Sequence, residues 1–454
     1  MGSKHYDFLN SSLLFDQNSI SNNFKNESEE RILKELEDYR EFVLSNINEI
    51  GSDIEREPST LRVFSTEGTT PISVLKQTAL YVNQFIISDP LFKFTKKGTQ
   101  MESTMDKYLG MEKRSLDKSD LVSAVKYLKE VTSMVAGNFV KVFPVEYYFE
   151  GPQQLPLKYS ENLFEDVLVE DISKLYKAKA IVANLEKSER GYIIRDKQQL
   201  VPGRAIAINF DDIGNMNGKI YFLMESKILS YDEETRIVNY AQYLPETSPS
   251  IEEFDTWVKQ SINQAAISHF ESLNKKLALA FALKGNLLVN ETFEYDLLGA
   301  HIGHGSSIEN FTTNQMLNID LPFMDNIDTQ KLMQIREHEA DIFTNFRIEL
   351  EKGFREIRNI SDPVLLKQKT ENLFHELNTV QGQKIKQKLN HVKKQMVLNS
   401  SILIGGLAGS IPSGGYSLFA TALATLKGYK DYREYSEKVK ENPAYFLWKV
   451  KKNK

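Results

Sequence analysis

Between Gln395 and Leu426 the chain runs thirty-two residues without a charged side chain, although 26% of all its residues are charged. A stretch of that length has two destinations: it enters lipid, or protein wraps it. Its own composition narrows the choice. Asn399, Ser400, Ser401, Ser410, Ser413, Thr421 and Thr425 dilute the apolar residues, and Pro412 with Gly414 and Gly415 interrupts any continuous helix. Two arms of roughly sixteen and eleven residues remain, about 24 and 17 Å at helical rise, each too short to cross a hydrocarbon layer of ~30 Å alone. The pattern therefore predicts a helical hairpin over 396–428. Gly405, Gly406 and Gly409, together with Ala420, Ala422 and Ala424, allow the two arms to approach closely, and Pro412 to Gly415 form the tip.

The flanks fit a membrane-facing base. Lys393 and Lys394 precede the run, Lys427 and Lys430 follow it, and the tail "NPAYFLWKVKKNK" sets Trp448 beside Lys449. Aromatic plus basic residues are the composition of an interfacial anchor. The expectation is an element that stays covered in the resting protein and inserts on activation or assembly. The other reading is a helical pair buried in the protein core, with the tail aromatics docked on it.

Charge excludes one broad class of function. With 56 basic and 62 acidic side chains the net charge is −6, so only a local basic patch could attract nucleic acid. The chain has no cysteine, which removes disulfides, thiolate metal sites and cysteine nucleophiles. "MGSKHY" lacks both a basic-then-apolar leader and the Ser or Thr of a myristoylation pattern, and the expected location is cytoplasmic, with membrane association on activation. At 454 residues, two to three cores are expected.

Periodicity divides the chain into four regions. Residues 1–150 read as a helical N-terminal region, with helices near 27–49, 71–88 and 119–142. The first has capping-box spacing at Asn26 and Glu29 and an apolar stripe through Ile32, Leu36, Tyr39, Val43, Ile47 and Ile50. Residues 151–247 read as a helix near 160–177 followed by an antiparallel meander from about 178 to 245. Residues 248–395 form a long-helix region that opens on a second capping box, Ser250 and Glu253, with further helices near 328–358 and 363–394. Residues 396–454 hold the uncharged hairpin and its aromatic-basic tail. The fold class is mainly α with a small antiparallel β insert.

Several fragments carry part of a chemical signature. "HIGHGSS" at 301–307 contains the phrase by which class I aminoacyl-tRNA synthetases hold ATP phosphates, but it follows no nucleotide-binding strand and no lysine loop completes it; a Gly-rich turn is the reading adopted. The zinc-protease pattern needs a second histidine one turn on, where Ile342 and Thr379 stand after His338 and His375. "GNMNGKI" from Gly214 is too short for a phosphate loop and reads as a hairpin turn at Asn217-Gly218.

One constellation has a chemical rationale. Asp211 and Asp212 end an apolar strand, and Glu225 and Lys227 are expected on the strand after the Asn-Gly turn. Carboxylates from neighbouring strands can hold Mg²⁺, and a lysine two residues from the glutamate shares its face and can orient a water. Over residues 204–227 this looks like the Asp…Glu-x-Lys arrangement of restriction-endonuclease-like nucleases. That resemblance implies metal ligation by Asp212 and Glu225, with Asp211 and Lys227 completing the catalytic set. The bland reading is a half-exposed strand. The expected function is a non-enzymatic interaction protein acting through 396–428, a toxin-like or defence-type effector, with a protein partner or self-association and no cofactor. The alternatives are the Mg²⁺-dependent nuclease, the one reading that requires a cofactor, and a structural scaffold with a buried hairpin.

Overall fold

A computed structural model of the 454-residue chain describes residues 3–56, 61–79, 82–96, 116–150, 168, 170–188, 191–195, 200–210, 219–234, 238–289, 293–294, 297, 328–338 and a few positions between 365 and 372. Within them helices and small antiparallel sheets combine into a mixed α/β molecule. The hairpin expected at 396–428 lies outside the described residues, as do the tail and the helix near 363–394 apart from its isolated described positions.

The N-terminal stripe forms as its spacing dictates. Helices α1 (Lys4–Leu9) and α2 (Gln17–Ser21) lead into α3 (Glu29–Ser45), which buries Ile32, Leu36, Tyr39 and Val43. Its cap is Ser28, whose hydroxyl accepts from the Arg31 N–H, and not the expected Asn26; Asn46 then separates α3 from α4 (Ile47–Glu55).

The region expected to be helical also contains a parallel sheet. β1 (Arg62–Phe64), α5 (Ile72–Thr78), β2 (Gln84–Ser88), α6 (Lys118–Ala136) and β3 (Val140–Phe143) follow in order, and a fourth strand arrives much later in the chain. The expected helix 71–88 stops at Thr78, and the expected helix 119–142 stops at Ala136. Gly137 caps the latter and Asn138 turns the chain in the left-handed region at φ 56°. Every residue of β1, β2 and β3 is buried. A strand covered on both faces shows a continuous apolar run instead of alternation, and over four or five residues such a run cannot be told from helix by period.

Between β3 and the last strand lies an excursion of helix and antiparallel sheet. A short α7 (Glu146–Phe149) is followed by α8 (Glu170–Lys179) and then by β4 (Ile181–Ser188), β5 (Gly191–Arg195), β6 (Ala205–Asn209) and β7 (Lys219–Phe222), which pair antiparallel in the order β5-β4-β6-β7. β8 (Glu225–Tyr231) and β9 (Val238–Tyr243) form a separate two-stranded ribbon. The expected meander is thus present, in two pieces. α9 (Ile251–Ala282) begins on the capping box read from sequence: Ser250 Oγ accepts from the Glu253 N–H and the Glu253 carboxylate accepts from the Ser250 N–H. It ends where Lys284 adopts φ 52° and the Gly285 N–H reaches back to the Ala280 carbonyl. β10 (Asn286–Leu287) then joins β1, giving an all-parallel order β10-β1-β2-β3. α10 (Thr329–His338) packs on α6, and its Arg336 donates to the carbonyls of Ala79, Val82 and Asn83.

The core runs from α1 through the parallel sheet to α9 and one face of β6, where Ile206, Ile208 and Phe210 point into it. A second, small cluster on the insert joins Leu185, Ala205 and Ala207, with Phe222 against it.

Candidate interaction surface

In open parallel sheets ligands gather outside the carboxyl ends of the strands, nearest the point where the winding direction reverses. Here that reversal falls between β1 and β10. The neighbouring end of β2 is closed by the chain itself. Asp89, the residue after β2, is fully covered; its Oδ2 accepts from the Tyr39 hydroxyl at 2.7 Å and its Oδ1 from the Leu91 N–H at 2.9 Å. From α1, His5 brings Nε2 to 3.7 Å from Asp89 Oδ2, and its Nδ1 lies 2.9 Å from Ser3 Oγ.

That spacing would suit an ion pair, but desolvation decides otherwise. Burial lowers the His5 pKa to about 3 and raises that of Asp89 to about 6, so at neutral pH the imidazole is uncharged beside a largely ionised carboxylate. Burial also raises the Tyr39 phenol. Ser3, His5 and Asp89 include the residue types of a hydrolytic triad, yet all three are buried and no substrate reaches them. Their role is to seat α1 over the sheet, a task shared by Tyr6, whose hydroxyl donates to the Leu128 carbonyl at 2.6 Å.

The insert is fastened by a second polar network. Tyr176 on α8 lies with its hydroxyl 2.8 Å from Nδ1 of His269 on α9, and Lys276 pairs with the buried Glu294 at 2.7 Å. The rings of Tyr176, Phe210, His269 and Phe293 pack edge-on and stacked around that joint, with centroids 4.8 to 5.8 Å apart. The antiparallel sheet is therefore anchored on the helical layer through β6.

Among the described residues β8 has no such cover. All seven residues of β8 are exposed. The register pairs Glu225 with Tyr243, Ser226 with Gln242, Lys227 with Ala241 and Ile228 with Tyr240; after a bulge at Leu229, Ser230 pairs with Asn239 and Tyr231 with Val238. Because the bulge restores the phase, one face carries Ser226 and Gln242 at its base and then Ile228, Tyr240, Tyr231 and Val238. The other carries Glu225, Tyr243, Lys227, Ala241, Ser230 and Asn239. Hydrogen bonds within the rungs fix this assignment: Asn239 donates to Ser230 Oγ at 2.9 Å, and Glu225 bonds the Tyr243 hydroxyl, raising its pKa. On the apolar face Ile228 is 67% exposed, Tyr231 57% and Tyr240 37%, and Leu229 at the bulge is 64% exposed.

The residues expected to carry chemistry or membrane contact fall as follows. Glu225 and Lys227 share a face, as period two requires, but they stand on the ribbon. The strand that follows Asn217 and Gly218 in the sequence is β7, and it is β7, not β8, that neighbours β6; the hairpin turn expected at those two residues lies outside the described residues. Asp211 and Asp212 lie outside the described residues, as do Lys393, Lys394, Gly405, Gly406, Gly409, Pro412, Gly414, Gly415, Trp448 and Lys449. Among the described residues no three His, Asp or Glu side chains gather as a metal site, and no helix is long and apolar enough to cross a membrane.

Ile228, Tyr231, Val238 and Tyr240 escaped the sequence reading. Val238 and Tyr240 alternate in "VNYAQY", but Ile228 and Tyr231 stand three apart in "SKILSY", where period two would split them between the faces, and no pattern says whether anything covers a face. No protein-family model, no curated protein and no solved structure matches this chain.

Proposed function

We propose that this protein is a non-enzymatic interaction protein whose contact element is the β8–β9 ribbon. The observation that supports this is the row of exposed Ile228, Tyr231 and Tyr240, with half-buried Val238 beside them, on one face of a separate two-stranded element. A two-stranded ribbon is marginal in water by itself, and contiguous exposed apolar surface with a polar base is the composition of a contact site. The uncharged hairpin expected at 396–428 is a second association element in this reading, resting on sequence alone. A photo-crosslinking residue placed at 240, on the apolar face, and separately at 239, on the polar face, tests the proposal. Adducts in cells from position 240 only, lost when Ile228→Asp is added, are the expected result. Equal yields from both positions, or none from either, refute it.

A further inference from the structure

We infer that α10 is a releasable clasp. Its seat, between α6 and the amino end of β2, is a docking site for a helix that carries Leu, Met and Arg in the spacing of Leu332, Met333 and Arg336, and the chain fills that seat itself. The inference goes beyond the ribbon and does not depend on it.

The seat is built around one cation. Arg336 donates to the carbonyls of Ala79, Val82 and Asn83, and its guanidinium lies over the Phe139 ring, 4.7 Å from the centroid. Ala79 caps α5, so the charge stands at the end of a helix whose last carbonyls have no intrahelical donor. A planar guanidinium can donate in its plane and still present a face to a ring. Beside it Leu332 is fully buried and Met333 is 7% exposed. Met333 packs against Gly137, where an added Cβ would stand 3.0 Å from its Cγ and Sδ. Ser133 Oγ donates to Thr329 Oγ1 at 2.9 Å.

The same contacts make the clasp reversible. Asp328 starts the helix: its carboxylate accepts from the Gln330 N–H at 3.0 Å and its carbonyl from the Leu332 N–H at 2.9 Å. The ten residues of α10 form a helix too short to persist in water undocked. Among the described residues α10 places Leu332 and Met333 in the core, whereas α6 places eight side chains there. Two apolar anchors exceed the entropy of ordering ten residues by little, and water replaces the guanidinium at the three carbonyls once the seat opens. Elements with few buried apolar contacts open without global unfolding, and a second helix with the same three side chains can then take the seat.

Hydrogen exchange of the full chain, together with binding of a fluorescein-labelled peptide copying residues 327–340, tests the inference. Amides of 332–338 should exchange at least about tenfold faster than those of 121–135 in α6. Arg336→Gln should speed exchange at 332–338 about tenfold further, the worth of hydrogen bonds from a charged group, and leave α6 unchanged. Gly137→Ala should act in the same direction: Gly137 has φ −75°, which any residue adopts, so the new Cβ crowds only the seat of Met333. The peptide should bind the Arg336→Gln chain about tenfold more tightly than the native chain, whose seat is filled, and the peptide carrying Arg336→Gln should bind neither. One common exchange rate for α6 and α10, in the native chain or in both variants, shows α10 to be a fixed part of the body and overturns the inference. So does opening of α10 without peptide binding, or binding indifferent to the peptide's arginine.

Discussion

β2 and β8 are both short strands rich in Ile, Phe or Tyr, and they meet opposite fates. All five residues of β2 are buried, all seven of β8 are exposed. Phe85, Ile86 and Ile87 lie between helical layers in the middle of a four-stranded parallel sheet, and each contributes about 1.5–3 kcal/mol by leaving water. Ile228 and Tyr231 stay 67% and 57% exposed and Tyr240 37%, so they gain a smaller share of that within the described chain. β2 (QFIIS) carries no charge while β8 (ESKILSY) holds Glu225 and Lys227, and topology adds to that difference: β2 has a partner strand on each side, whereas β8 pairs only with β9 among the described strands.

The largest expected effect tests the buried side. Phe85→Ala should lower unfolding free energy by about 3–5 kcal/mol in a denaturant titration, because the layers around β2 cannot collapse onto the cavity. A loss below 1 kcal/mol would place β2 at a surface.

The next effect concerns the polar seal at the end of β2, and its sign follows from linkage. His5 has a folded-state pKa of about 3, below its ordinary 6.5, so its contribution is lost as pH falls through that window. Asp89 is displaced the other way, to about 6 from 3.8, so protonation favours the fold and stability rises as pH falls from about 6 towards 4. In the native chain the two slopes oppose each other and stability is nearly flat from pH 6 to 4. Asp89→Asn leaves the His5 slope alone, and that variant should lose up to about 1.4 kcal/mol per pH unit on acidification below 6.5. His5→Gln should show the reverse, gaining stability on acidification. Unfolding midpoints across pH 4–7 check both, and parallel profiles for the two variants would contradict the buried pair.

Smaller effects belong to the exposed elements. Ser250→Ala removes half of the capping box of α9 and should cost about 1 kcal/mol. Ile228→Ala and Tyr240→Ala should each cost less than about 1 kcal/mol in dilute protein, the worth of one partly exposed cross-strand pair. A larger loss there would mean that the ribbon face is already covered.

The elements legible in the sequence were those whose pattern repeats over several turns or is marked by local chemistry. The stripe Ile32, Leu36, Tyr39, Val43 and the box Ser250 with Glu253 formed as read, and antiparallel strands fill the span read as a meander. The parallel sheet was hidden because β1, β2 and β3 are only three to five residues long and buried on both faces, Arg62 and Lys141 included, so their composition does not report their burial. β10 adds a further difficulty: two residues that pair with β1 from more than two hundred positions away leave no local trace. The ribbon was legible as strands but not as a surface. Its register depends on the bulge at Leu229, which puts Tyr231 on the same face as Ile228 despite their odd spacing.

Hydrogen exchange compares the two strands most directly. In dilute full-length protein, the outward amides of residues 225–231 should exchange within the dead time while those of 84–88 remain protected for hours. Protection of 225–231 equal to that of 84–88 at every dilution would show the ribbon covered within a single chain and would contradict the account.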